Sequence, residues 1–355
     1  MARVEKIKGA KKLAAKEVIP FTRQLSSMIG AGMAILSAVQ TLRDQCDNPE
    51  FKKVLQHLSD TLESGEPLSA GIADYPQLFD EMYVNMVVAG EQSGQFDGVM
   101  KRLASIMQSA SRLKRKVKSA MTYPTVIICI AFLLAGGLIQ FVVPIFADMF
   151  SGMGKDLPAL TQTLVDISEF VKSWWWLLIG GVATAVFLFR KWKATESGHY
   201  KFDEFKLKMP IFGVLSQKVA IGRFCRLMAQ MHSAGVPILK SLKVVAGSLG
   251  NRVYEKGILA ARSEVEQGNQ LSPSLEGKPY IPLLMVRMLN AGEKAGKEGE
   301  MFDSVADSYE EEVEVMLSTL TSLMEPFLMV FLGGIIGTIV LAMFLPIFNL
   351  GSLAS

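Results

Sequence analysis

Three stretches of the chain contain no charged side chain, and two of them are long enough to cross a membrane. Residues 126–146 and 326–348 form uncharged runs of 21 and 23 residues, and residues 174–189 form a run of 16. About 20 helical residues cross a hydrocarbon core of roughly 30 Å. The shortest run begins with three tryptophans, which suit a membrane–water interface, so we count it as a span. The pattern predicts transmembrane helices at 126–146, 173–189 and 326–348.

Outside the spans, apolar residues recur at steps of three and four, which is the period of an amphipathic helix. One such stripe comprises Phe21, Leu25, Met28, Ile29, Ile35, Leu36, Val39 and Leu42, and another comprises Phe224, Met228, Met231, Ile238, Leu239, Leu242 and Val245. An Ala-Gly pair interrupts each stripe once and predicts a tight turn between two antiparallel helices. No long segment alternates with the period of a strand. The predicted fold class is therefore all-α, a polytopic membrane protein with helical-bundle domains.

The chain contains an internal repeat. Residues 21–36 (FTRQLSSMIGAGMAIL) align with residues 224–239 (FCRLMAQMHSAGVPIL) at an offset of 203. Residues 89–94 (AGEQSG) match residues 291–296 (AGEKAG) at an offset of 202. The same offset relates Pro124 to Pro326 and Pro144 to Pro346, which lie at the two ends of the first and third spans. Self-similarity of this kind indicates a duplicated module. We expect two homologous helical domains, each running into a membrane helix.

These patterns divide the chain into eight parts and give it an orientation. We predict a basic N-terminal arm (1–16), a first helical domain (17–125), a first span (126–146), a short loop (147–172), a second span (173–189), a second helical domain (190–325), a third span (326–348) and a tail (349–355). Basic residues cluster before the first span and after the second, so the positive-inside rule places both domains in the cytoplasm. Residues 1–17 contain no apolar core of a signal peptide.

Composition argues against an enzyme. The chain has 37 Lys and Arg against 34 Asp and Glu, a net charge of +3, which is no basic field for nucleic acid. Three histidines and three scattered cysteines supply neither a catalytic constellation nor a metal motif. The Gly292–Glu298 segment fails as a P-loop, because three residues separate its glycines and no Ser or Thr follows the lysine. We read it as a helix that ends at a glycine cap. The sequence predicts neither catalytic residues nor a cofactor.

Acidic residues near the first Gly-Glu turn offer one candidate metal site. Glu91 and Asp97 flank the turn at Ser93 and Gly94, and carboxylate oxygens suit a hard cation such as calcium. The spacing fits no EF-hand loop, and solvated turn acids are the alternative interpretation.

A membrane transporter or channel component is the alternative function. Transport usually needs ionisable groups or broken helices inside the bilayer. The spans contain no Asp, Glu, Lys, Arg or His, and three spans enclose no pathway without oligomerisation. Small residues such as Gly333 and Gly337 favour close helix packing instead.

The two copies differ in charge where each long helix approaches its span. The first is basic and the second acidic; the charged residues are Lys101, Arg102, Arg112, Lys114, Arg115, Lys116 and Lys118 in the first, and Glu310, Glu311, Glu312 and Glu314 in the second. Anionic lipid headgroups attract such a basic cluster. Our hypothesis is that the two segments pair, within or between chains.

The repeated motifs at 21–36 and 224–239, together with the paired Gly-Glu-x-x-Gly turns, resemble the type II secretion F-protein family. This family is the inner-membrane platform protein of type II secretion and type IV pilus machines, and the resemblance covers about residues 17–350. It implies a scaffold in the bacterial inner membrane, with a cytoplasmic N-terminus and a periplasmic C-terminus. Some members bind calcium near the first turn, which implies Glu91 and Asp97 here.

The resemblance also implies partners. They are a cytoplasmic secretion or pilus ATPase, pilin or pseudopilin subunits, other inner-membrane assembly proteins, membrane lipids and further copies of the chain in a homodimer or larger homo-oligomer, with no direct contact to nucleic acid. The implied function is to couple the ATPase to insertion of pilin or pseudopilin subunits into a growing filament. The candidate contact residues are Gly90, Glu91, Gly94, Gly292, Glu293, Gly296, Arg23 and Arg226.

Overall fold

A computed structural model of the chain describes residues 13–151 and 158–351. Most of the predicted N-terminal arm, residues 152–157 of the predicted loop and residues 352–355 of the predicted tail lie outside the described residues. Every regular element within the two described ranges is helical, and they contain no strand. The all-α fold class is therefore confirmed.

Six helices follow a π-helical turn at Ala14–Val18. They are α1 (Ile19–Gly30), α2 (Ile35–Asp44), α3 (Pro49–Glu63), α4 (Leu68–Ala73), α5 (Glu81–Ser93) and α6 (Phe96–Gly137). A second π-helical turn, Leu138–Val142, leads into α7 (Val143–Ser151), and α8 spans Ala159–Ala194.

The second half of the chain repeats the helices of the first after one additional helix, α9 (Glu196–Lys208). The repeated helices are α10 (Phe212–Ser233), α11 (Ile238–Ser248), α12 (Arg252–Glu266), α13 (Leu271–Leu275), α14 (Leu283–Ala295) and α15 (Glu298–Gly351).

Equivalent residues begin equivalent helices in the two halves. The side chain of Asn48 accepts hydrogen bonds from the first-turn N–H groups of α3, and Asn251 does the same for α12. These positions differ by the repeat offset of 203, and such a cap satisfies N–H groups that have no partner within the helix. Gly32 (φ +86°) and Gly235 (φ +76°) occupy the predicted tight turns, where a left-handed backbone favours glycine. The predicted helix pairs α1–α2 and α10–α11 are confirmed.

The chain divides into two compact units, and the first contains both helical domains. It comprises the described parts of Met1–Arg115 and Tyr200–Glu314, which share one cluster of buried apolar side chains. Helix α5 of the first half contacts α11 of the second, where Lys243 Nζ lies 3.9 Å from Glu81 Oε1. The Arg102 guanidinium also donates to the Ser233 carbonyl. The domain boundaries at 125 and 190 stay predictions.

The second unit, which comprises the described parts of Lys116–His199 and Val315–Ser355, contains the apolar parts of the long helices. Phe96–Phe146 and Glu298–Leu345 are each long and apolar enough to cross a membrane. Ala159–Leu177 and Ile179–Ala194 meet this criterion together but are bent by 53°, so the described chain has two such helices, or three if the bent pair is one span. Helix α8 begins at Ala159, so part of the predicted loop 147–172 is helical. These helices fit a membrane protein that carries helical domains.

Candidate functional site

The two Gly-Glu turns connect equivalent helices in the two domains. The first joins α5 to α6 and the second joins α14 to α15. Gly94 ends α5 with φ +68°, and Gly296 ends α14 with φ +64°. A left-handed residue at this position is a common helix C-terminal cap, and glycine adopts it without strain. The predicted glycine cap is confirmed at Gly296.

The first glycine of each motif permits close helix contact. A Cβ atom at Gly90 would lie 3.1 Å from Val99 Cβ, and one at Gly292 would lie 2.8 Å from Met301 Cβ. Both distances are shorter than ordinary contacts between side chains. The motif therefore holds α5 against α6, and α14 against α15.

The repeated glutamates hold the short helices in place. Glu91 accepts hydrogen bonds from Ser69 N at 3.1 Å and Ser69 Oγ at 2.5 Å, at the start of α4. Glu293 accepts from Leu271 N at 2.8 Å, Ser272 N and Ser272 Oγ, at the start of α13. A carboxylate at a helix N-terminus satisfies unpaired N–H groups and interacts favourably with the helix dipole.

Sequence reasoning missed this role of the two glutamates. A signal exists, because the pairs Leu68–Ser69 and Leu271–Ser272 recur at the repeat offset of 203. The pairs lie about 20 residues before the glutamates, however, so the local pattern alone does not connect them.

The calcium prediction on Glu91 and Asp97 has no ligand set in the structure. Both Glu91 oxygens accept hydrogen bonds from Ser69, and Asp97 lies 3.5 Å from Lys101 Nζ. In the part of the chain that the structure describes, no three His, Cys, Asp or Glu side chains lie close enough together to hold a metal. As arranged, these residues do not fit a calcium ion. Calcium binding stays a prediction.

The two predicted contact arginines have different surroundings. Arg226 Nη1 donates to Asp303 at 2.8 Å, Nε donates to Glu310 at 3.0 Å and Nη2 donates to Asp307. Burial alone would lower the pKa of Arg226, but the hydrogen bonds to Glu310 and Asp307 outweigh it and raise the pKa above its ordinary value. Arg23, the equivalent residue on α1, is exposed and has no side-chain hydrogen bond or ion pair with another described residue.

A cavity of about 390 Å³ lies in the second domain beside its Gly-Glu turn. Its walls are apolar side chains and one glycine, apart from His232, Glu293 and Glu298. The equivalent positions to His232 and Glu298 in the first domain hold Ile29 and a buried phenylalanine, Phe96. The sequence analysis did not predict this cavity, because it depends on how these side chains pack.

Six of the eight predicted contact residues lie at the two Gly-Glu turns, three at each turn. Gly90, Glu91 and Gly94 lie together at the α5–α6 turn, and Gly292, Glu293 and Gly296 lie together at the α14–α15 turn. The Glu91 and Glu293 carboxylates are engaged inside the protein, whereas Gly94 and Gly296 are exposed. The role of all eight residues in partner contact stays a prediction.

Comparison with known proteins identifies the family of this architecture. The sequence pattern of the family "Type II secretion system (T2SS), protein F" matches residues 21–144 and 224–346. Type IV pilus assembly protein PilC of Pseudomonas aeruginosa is 37% identical over 345 residues, which are 97% of this chain and 92% of the relative. Type IV pilus assembly protein TapC of Aeromonas hydrophila is 35% identical, with coverage of 98% and 84%.

A relative from a secretion system is similar over nearly as much of the chain. Type II secretion system protein F of Vibrio cholerae is 30% identical over 335 residues, with coverage of 94% of this chain and 82% of the relative. The family pattern matches both halves of the chain, as the internal repeat requires. The chain therefore belongs to the type II secretion system protein F family.

Proposed function

We propose that this chain is the inner-membrane platform protein of a type IV pilus or type II secretion machine. Its function is to couple a cytoplasmic assembly ATPase to the insertion of pilin or pseudopilin subunits into a growing filament. The family is a structural component of such machines and not an enzyme family. The observation that carries the proposal is that both helical domains belong to one compact unit, and that each continues into a long apolar helix.

Continuous helices suit the transmission of movement from a soluble domain to a membrane segment. Helix α6 has 42 residues and α15 has 54. At about 1.5 Å per residue these helices extend over roughly 60 and 80 Å. No loop interrupts either helix between its Gly-Glu turn and its apolar segment, so a displacement applied at the turn is transmitted along the helix axis.

The basic flanks support a cytoplasmic position for both domains, with the N-terminus inside and the C-terminus in the periplasm. In that orientation the exposed turns at Gly94 and Gly296 face the compartment that contains the ATPase. Contact with the ATPase then falls on these turns, because the carboxylates of Glu91 and Glu293 are engaged by the short helices. Arg23 is exposed and is available for contact with a further copy of the chain. Other inner-membrane assembly proteins and further copies of the chain complete the expected partners.

Site-specific photocrosslinking in cells tests this function. A photoreactive amino acid replaces Gln95 or Lys297, which are exposed and adjacent to the two turns. Lys53 and Lys256 serve as matched controls, because they are exposed, equivalent under the repeat and located on α3 and α12. We expect the turn positions to capture the machine's ATPase or a pilin-like subunit, and the control positions to capture neither. Absence of both partners from the turn positions would contradict the proposal.

A further inference from the structure

Equivalent helix faces in the two domains carry opposite charge. One face of α6 presents Lys101, Ser105, Gln108 and Arg112, and the face of α15 at the repeat offset of 202 presents Asp303, Asp307, Glu310 and Glu314. Residues with this spacing of four, three and four lie along one side of a helix. We call the first set, with Arg23, the basic face, and the second set, with Arg226, the acidic face.

The acidic face holds more negative charge than its own arginine neutralises. Arg226 is hydrogen-bonded to three carboxylates, those of Asp303, Asp307 and Glu310. The Asp307 side chain nevertheless remains 72% exposed. Each carboxylate can accept further hydrogen bonds, and carboxylates held together favour additional cations. This face therefore has both the charge and the acceptor atoms for a second basic group.

The basic face lacks the carboxylates that surround the arginine of the acidic face. Arg23 occupies the position of Arg226, but the facing positions on α6 hold Lys101, Ser105 and Gln108 instead of carboxylates. The only carboxylate that forms an ion pair with Lys101 among the described residues is Asp97, one turn earlier on the same helix. Arg23, Lys101 and Arg112 are all exposed. Three carboxylates surround Arg226 in the second domain. For Arg23 in the first domain, such carboxylates must come from another surface.

We propose that the acidic face of one chain docks on the basic face of a second copy of the same chain. The two faces carry opposite charges at matching spacing, because both derive from the same duplicated helix pair. In a two-fold dimer each chain contributes one face of each kind, so the contact forms twice. This inference specifies the contact of the homo-oligomer proposed above. Its test measures self-association alone, so its failure would leave the proposed ATPase and pilin contacts unaffected.

Two charge-reversed chains test the contact. The first chain carries Arg23→Glu and Lys101→Glu, which makes both of its faces acidic. The second carries Asp307→Lys and Glu314→Lys, which makes both faces basic; both residues are exposed. The full-length chains carry different affinity tags, are purified in the same detergent, and are assayed alone and as a mixture by co-purification. Circular dichroism confirms that each chain keeps its helix content.

We expect each reversed chain to lose self-association by about tenfold, because several exposed ion pairs are replaced by like-charge contacts. The mixture of the two should regain the association of the wild-type chain, since each acidic face again meets a basic one. Raising the salt from about 0.1 to about 0.5 M should weaken the wild-type dimer in the same direction. A third chain with Asp307→Asn and Glu314→Gln removes charge from the acidic face without repelling Arg226, and should also lose self-association.

The control chain carries Lys52→Glu and Lys53→Glu on α3, away from both faces. These substitutions change the net charge by the same amount as those in the first reversed chain. It should associate like the wild-type chain. Undiminished self-association of the first reversed chain would overturn the proposal. Loss in both reversed chains without recovery in the mixture would also overturn it.

Discussion

At the scale of single residues, two hydroxyl groups satisfy each other inside the first domain. Thr22 Oγ1 lies 3.0 Å from the Tyr83 hydroxyl and donates to the Val18 carbonyl at 2.8 Å. Threonine has one hydroxyl proton, so Tyr83 is the donor in the bond between the two. Burial raises the pKa of Tyr83, which keeps the phenol protonated and able to donate at neutral pH.

This geometry predicts that the two partners are not equivalent. Thr22→Val leaves the buried Tyr83 hydroxyl without an acceptor and should lower the free energy of unfolding by roughly 1–3 kcal/mol. Tyr83→Phe leaves Thr22 bonded to Val18 and should cost only about 0.5–1.5 kcal/mol. Denaturant unfolding of the full chain in detergent measures both, with Thr22→Ser as the control that keeps the hydroxyl. A larger loss for Tyr83→Phe would show that the hydrogen-bond assignment is wrong.

Sequence reasoning reached some of these residues and not others. The Gly-Glu turns and the two arginines stood out because the repeat preserves them. The roles of Glu91 and Glu293 did not stand out, because each carboxylate accepts hydrogen bonds from a helix start about 20 residues away in the chain. A pairing of this kind depends on the packing of three helices, and no local pattern encodes it.

At the scale of the helices, glycine has two opposite uses in this fold. Gly292 on α14 lies against α15, where a Cβ atom would be 2.5 Å from Met301 Cγ and 2.8 Å from Met301 Cβ. Gly247 on α11 has no atom within 4 Å of the equivalent Cβ position. The same residue type therefore permits contact at one site and only weakens the helix at the other.

These surroundings predict stability changes of opposite sign. Gly292→Ala should destabilise the protein by about 1–3 kcal/mol, because α14 and α15 must separate or Met301 must leave its preferred rotamer. Gly247→Ala should stabilise it by up to about 1 kcal/mol, since alanine is the better helix former. The midpoint of thermal unfolding, measured for both variants and the wild type, checks the prediction. A Gly292→Ala protein as stable as the wild type would mean that the two helices do not pack this closely.

The short helices α4 and α13 show the limit of periodicity at this scale. They have six and five residues, which is too short for an amphipathic stripe to be recognised. The longer helices α1, α2, α10 and α11 carry stripes that predict them, and an Ala-Gly turn marks where each pair divides. Helix α9 was not predicted.

At the scale of the whole molecule, the two helical domains belong to one compact unit. Between them, α5 contacts α11 and the Glu81 carboxylate lies 3.9 Å from the Lys243 ammonium. Both side chains are largely exposed, so the pair contributes little to stability by itself. Its position between the domains makes it a reporter of their association.

Reversing one charge should loosen this contact without unfolding either domain. Lys243→Glu places two carboxylates together, and should increase hydrogen exchange in α5 and α11 with a free-energy change of about 0.2–1 kcal/mol. Adding Glu81→Lys should restore the protection. Lys240→Glu, an exposed substitution on the same helix, is the control and should change exchange little. Equal effects of Lys240→Glu and Lys243→Glu would argue against the contact.

The sequence by itself determined the all-α class, the apolar segments, the duplication and the family. Each of these follows from order along the chain: helical period, uncharged length, repeat offset and the paired glycine turns. Only the tertiary structure decided that both domains form one unit and that α8 is bent by 53° between Leu177 and Ile179. It also decided that Arg226 is surrounded by carboxylates while Arg23 is exposed. Such contacts join residues far apart in sequence, and their geometry depends on how whole helices pack.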